Sequence, residues 1–323
     1  AYEILSGLVG SEMCIRDRIT FDIKSHEFNP AHLVVDELNN IDFIYEATWM
    51  YPFKNIGNRA KVNFPKSCDV VSDDISYQGK YINEKFFLYC ASSLKGLNIE
   101  IVNLSVLTDA LVTINFNDDT FEGLINVQKN SLKIPLSSNY YPSSYFQLGI
   151  SHLFGGLDHI LFIFGLILCI SGFINILKAI TAFTIAHSIT LGFTVYGIIS
   201  LPNGTIEALI ALTLIFLAME INNNKKTLKT SWLTAFIFGL LHGLGFASAL
   251  IDIGIANDKM LLSLLFFNIG IEIAQIILIP IPFLLILISK KLNILNVFKI
   301  IVSIIIGGMG FYWFIDRVIG IIL

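Results

Sequence analysis

Apolar and polar positions change their rhythm near residue 145. Before that point they alternate over short runs, which places one face of a strand against a core. The alternation predicts strands over Ala31 to Leu38, Ile41 to Tyr51, Phe86 to Cys90, Leu97 to Val102, Ala110 to Phe116 and Phe121 to Val127. Asn117-Asp118-Asp119 is a turn signal and predicts a hairpin between the last two. Short strands at this spacing predict a small, sandwich-like all-β domain over residues 19–144. From 145 to 323 the apolar runs lengthen. They predict a helical bundle with six spans, at about 146–170, 176–199, 204–221, 232–252, 260–288 and 298–321. Each is close to the roughly 20 residues a helix needs to cross the hydrocarbon core. Pro280 and Pro282 predict a kink or tilt in the fifth.

Composition agrees with this division. The chain of 323 residues is 54% hydrophobic and 14% charged. That is the membrane class, with the lipid bilayer as the first partner. The net charge of -4 gives no ground for a nucleic-acid partner. The pattern sets no oligomeric state, so a homo-oligomer stays open. Residues 1–18 lack the order of a signal peptide, and LVGSEMCIRDR resembles a translated sequencing-adapter tail. We expect residues 1–18 to be a non-native leader.

Charge placement predicts orientation. With the β domain outside, the loops and helix starts on the inner side carry Lys178, Lys225, Lys226, Lys229, Lys290, Lys291 and Lys299. The other side carries Lys259 and Arg317. Lysine-rich loops face the cytoplasm, so the β domain is expected to be extracytoplasmic and the helices to cross a bacterial inner membrane. Trp232 at a span boundary fits an interfacial anchor. Outside the cytoplasm, Cys68 and Cys90 can form a disulfide or remain two buried thiols. His26 and His32 flank Pro30 and are read as surface residues before metal ligands.

The candidate chemistry lies within the apolar runs. Ionisable residues at membrane depth are costly and mark functional sites. His152, Asp158 and His159 fall in the first span, His187 in the second, His242 in the fourth and Glu272 in the fifth. On one continuous helix His152 and His159 share a face about 10.5 Å apart along the axis. That reading puts His152 in the outer part of the membrane, with Asp158 and His159 near the middle. His187, His242 and Glu272 reach a similar depth. Imidazoles and carboxylates suit divalent nickel, cobalt or zinc. Asp158 serves as a ligand or as the acceptor for the second nitrogen of a ligating ring. Gly239, Gly243 and Ala247, spaced by four, predict close helix packing around His242. The hydroxyls of Thr181, Thr184, Ser188 and Thr190 are expected to bond mostly to their own helix.

Five blocks resemble one family. HLFGGLDHILF (152–162), TAFTIAHSITL (181–191), IEALIALTLIFLAMEI (206–221), FIFGLLHGLGFASAL (236–250) and LLFFNIGIEIAQ (264–275) are similar to the HupE/UreJ hydrogenase and urease accessory membrane proteins. The His-x5-Asp-His pattern of His152, Asp158 and His159 also resembles the His-x4-Asp-His motif of nickel/cobalt permeases. Leu153 stands where that family often has proline. The resemblance implies nickel-linked membrane transport. It points to His152, Asp158, His159, His187, His242 and Glu272 as metal-site residues.

Two functions are then expected from one residue set. The first is divalent nickel or cobalt transport, with the ion as cargo, guided from outside by Glu207 and His152. Gln275 and Glu220 lie below the cluster on that path. The alternative is a membrane-embedded metal-dependent hydrolase, in which three imidazoles activate water and Glu272 acts as base. Cys169 has no second thiol in this region and is read as packing.

Overall fold

Strict alternation builds the first hairpin. The computed structural model describes residues 30–52, 59–78, 81–105, 108–136, 143–222, 231–253 and 260–322. The proposed leader at 1–18, His26 and lysines 225, 226, 229 and 259 lie outside them. Strand β1 (Ala31–Asn39) pairs antiparallel with β2 (Ile44–Pro52). Along β2, Tyr45, Ala47, Trp49 and Tyr51 are buried while Ile44, Glu46, Thr48 and Met50 between them are only partly so. Leu33 and Val35 oppose Trp49 and Ala47 and share that core face.

The remaining strands are β3 (Lys61–Asn63), β4 (Cys68–Gln78), β5 (Tyr81–Cys90), β6 (Asn98–Val102), β7 (Ala110–Asn115), β8 (Thr120–Ile125) and β9 (Ser131–Lys133). Six form one sheet in the order β4-β5-β2-β1-β7-β8, and β3-β6-β9 form a second. The predicted hairpin is β7–β8, closed where Phe116 N–H donates to Asp119 O at 2.7 Å. Beside it Lys95 pairs with Asp118 at 2.7 Å, which holds the Asp118 carboxyl below its ordinary range. The β1–β7 pair is parallel. Strand β4 escaped the alternation because CDVVSDDISYQ is a sheet edge with a register shift between Ser72 and Ile75. Its Val70, Val71, Ile75 and Tyr77 are exposed. Cys68 and Cys90 are opposed in register on β4 and β5 and form a disulfide.

Strand β7 is buried on both faces, because it touches two cores. Ala110, Val112 and Ile114 belong to the β core. Leu111, opposite Leu124 on β8, joins Tyr145 and Leu148 of helix α1 (Ser143–Gly155) in the core of the bundle. Asp109 reaches Ser151 of α1, and burial raises its carboxyl above the ordinary range despite that bond. His32 is not a surface residue. It is buried, with Nε2 at 2.9 Å from the Thr113 hydroxyl.

The helices after α1 are α2 (Leu157–Cys169), α3 (Phe173–Val195), α4 (Asn203–Ile221), α5 (Ser231–Ile253), α6 (Met260–Leu278), α7 (Pro280–Lys291) and α8 (Leu295–Ile322). Among the described residues, four apolar segments are long enough to cross a membrane: α3, α4, α6 with α7, and α8. Helices α6 and α7 are separated at Ile279, just before Pro280, and together make one apolar segment of 32 residues. Helices α1 and α2 make a fifth span if taken together, but they are bent by 73°. The single straight helix expected at 146–170 is therefore replaced by two. In α5 the described apolar stretch is Trp232–Phe246, and Trp232 is exposed at its start.

Glycines set the helix spacing. A Cβ on Gly239 would strike the Phe183 carbonyl, and one on Gly243 the His187 carbonyl, so α5 lies directly against α3. Gly149 faces the Phe267 carbonyl and Gly270 the Phe146 carbonyl, which joins α1 to α6 in the same way. Small residues permit such approach where lipid supplies no hydrophobic drive between helices. Ala247, the third residue of the expected stripe, has no described side chain.

A candidate metal centre at a helix break

The site forms because one helix stops and another starts. Gly156 separates α1 from α2 with an extended backbone, φ -89° and ψ 100°. Its N–H still donates to His152 O at 3.0 Å, and its carbonyl still accepts from Ile160 N–H at 3.2 Å. The chain thus turns without leaving its local hydrogen bonds unmade. His152 closes the last turn of α1, and Asp158 and His159 open the first turn of α2. An acidic group at a helix start suits the helix dipole.

The bend corrects the placement of His152. A straight helix would hold it a heptad away from His159, in the outer part of the membrane. Instead the two rings lie 4.9 Å apart between centroids. Helix α3 adds His187, 6.3 Å from the His152 ring. All three rings are buried, and one ring nitrogen from each lies within 4.8 Å of the others. Helix α5 brings His242 to 5.1 Å from His159.

Three of these rings are oriented by an acceptor at Nδ1. His159 Nδ1 lies 3.2 Å from Asp158 Oδ1, and His242 Nδ1 lies 2.9 Å from Phe238 O. His187 Nδ1 lies 3.1 Å from Asn268 Oδ1. The Asn268 amide is itself turned, because its Nδ2 donates to Leu264 O at 2.8 Å. Carboxylate, carbonyl and amide oxygens accept, so each Nδ1–H donates and each neutral ring carries its lone pair on Nε2. That is the arrangement by which outer partners prepare imidazole for a metal. Phenylalanines wall the group. Phe246 lies 4.0 Å from the His152 ring and stacks on Phe267 at 4.8 Å. Phe183 and Phe162 flank His242 at 5.1 and 5.3 Å.

The carboxylates separate by role. Asp158 touches the cluster through His159. Glu272 stands outside the three-imidazole group and accepts from the Thr181 hydroxyl at 2.7 Å. On α3, between Thr181 and His187, Thr184 donates to Gln275 Oε1 at 3.0 Å. Three polar pairs therefore run along the α3–α6 contact: His187–Asn268, Thr184–Gln275 and Thr181–Glu272. Ser188 and Thr190 bond to their own helix as expected, Thr184 bonds both to Ile180 O of its own helix and across to α6, and Thr181 reaches across. Glu207 does not stand ready at an outer mouth. It is bound to Arg317 of α8 at 2.6 Å.

Sequence reasoning assigned no role to Asn268, Phe246 or Phe267. Asn268 had a signal, being an amide in an apolar run four residues before Glu272. The phenylalanines had none, since the chain contains 26 of them.

Comparison with known proteins adds the family. The profile described as HupE / UreJ protein matches residues 128–317, more than half of the chain and all of the candidate site. No curated protein and no solved structure matches the chain. The disulfide-bearing strands lie outside the matched region, whereas the broken pair and every helix of the bundle overlap it. The chain belongs to the HupE / UreJ family of membrane proteins.

Proposed function

We propose that the protein moves a divalent transition metal, nickel or cobalt, across a bacterial inner membrane, with the β domain on the extracytoplasmic side. The observation that carries this reading is the buried group of His152, His159 and His187 at the α1–α2 break, in a family associated with nickel and cobalt handling. Three imidazole nitrogens suit a borderline cation. His242 lies close enough to His159 to exchange for one of them as the ion shifts, and Asp158 offsets charge through His159. Asn268, Glu272 and Gln275, in that order along α6, offer oxygen ligands for release along α3 and α6. Imidazole ligands must be deprotonated to bind, so uptake is expected to fall as the pH drops through roughly 6 to 7.

One observation favours the hydrolase reading. His152 joins the group instead of standing above it, which makes a single tight site of the kind that activates a water on a three-histidine metal. Metal accumulation in proteoliposomes separates the readings. Transport predicts time-dependent nickel or cobalt uptake that His159→Ala abolishes. Stoichiometric binding without flux, together with cleavage of a lipid or peptide substrate, would establish the hydrolase instead.

A further inference from the structure

A second feature lies away from the histidines, where α2 ends and α3 begins. A cavity of about 220 Å³ opens there between that turn and the junction of α7 with α8. Lys290 and Lys299 line it with Ser171 and Gly172, and apolar side chains including Ile176 and Phe283 form its walls. Among the described residues neither lysine makes an ion pair. Gly172 caps α3 with φ 91°, a conformation open to glycine, so the first turn of a 23-residue helix starts at the cavity. Two ammonium groups and a helix start all favour negative charge.

We infer that this cavity binds the phosphate headgroup of an anionic phospholipid. The class follows from three features. The charged groups select an anion. The apolar walls, with the exposed Phe283, Leu284, Leu287 and Ile288 of α7, offer a surface for acyl chains. The volume is below the roughly 300–1,000 Å³ that encloses a whole drug-sized ligand, so it suits a headgroup whose tails remain outside. Lysine pockets between helices are a physical basis for selecting acidic lipids. Nothing in this site depends on the histidine cluster, so it stands or falls separately from the transport reading.

The test uses the full chain in detergent. Retention of phosphatidylglycerol and phosphatidylcholine is measured by native mass spectrometry, and inorganic phosphate is titrated alone. The expected result is selective retention of phosphatidylglycerol. Lys290→Gln with Lys299→Gln should lower it by roughly fivefold per lysine, about 25-fold for the pair. Ile286→Trp, which fills the cavity without changing charge, should lower it as well and serves if the double variant fails to fold. Equal retention of both lipids, or no change in either variant, would overturn the proposal. Saturable binding of phosphate alone that displaces the lipid would overturn the lipid assignment in favour of a free-anion site.

Discussion

The β domain and the helical bundle both bury histidine, but in different company. His32 is a buried ring in a sheet, with Nε2 beside the Thr113 hydroxyl on the neighbouring strand. His152, His159, His187 and His242 come from four helices and meet ring to ring, and three of them have Nδ1 fixed by an acceptor. Burial with one hydrogen bond satisfies a polar side chain. Convergence, with the lone pairs assigned to Nε2 by partners outside the cluster, prepares a site. The difference lies in what surrounds each ring, since all five are equally buried.

The largest expected effect separates the two kinds directly. His159→Ala should weaken metal binding by more than about a hundredfold, because losing even an outer partner commonly costs 10- to 100-fold. His32→Val should leave metal binding unchanged, as equilibrium dialysis would show. Comparable losses from both would erase the distinction. The next effect concerns stability alone. Breaking the disulfide with Cys68→Ser and Cys90→Ser should cost about 3 kcal/mol in unfolding of the β domain, with metal binding retained. Asn268→Leu keeps every imidazole but frees His187 to turn, and a loss of roughly 10- to 100-fold in affinity is expected. Full affinity in that variant would show that the amide does not orient the ring.

The smallest effect is a pH dependence at the joint of the two regions. The native Asp109 carboxyl is raised above its ordinary 3.8 by burial. Below that value folded and unfolded states both hold the proton, so burial carries no ionisation cost. The cost grows as pH rises past 3.8 and is complete above the raised native value. Asp109→Asn should therefore raise the melting temperature at neutral pH, with the gain vanishing in acid. A lower melting temperature at neutral pH would mean that the charged form is used at this joint.

Much of this was legible in the sequence, for physical reasons that differ by element. Period-two burial along β2 and the turn at 117–119 read directly, because each strand has one face on a core. β4 did not, because an edge strand has little to bury. The histidines were legible by their cost at membrane depth. Their geometry was not, because seven residues on a continuous helix and seven across a bend at Gly156 look alike in sequence. Glu207 read as an open carboxylate because its partner, Arg317, lies 110 positions later at the far end of the bundle. The β1–β7 pairing was hidden for a similar reason, since parallel strands join residues remote in the chain.

The central claim is that one divalent ion sits among His152, His159 and His187. X-ray absorption of the purified protein loaded with nickel tests it most directly. The account predicts about three imidazole nitrogens in the first shell, and one fewer in His187→Ala. A shell of oxygen alone, or a spectrum unchanged by substitution of any of the three histidines, would contradict it.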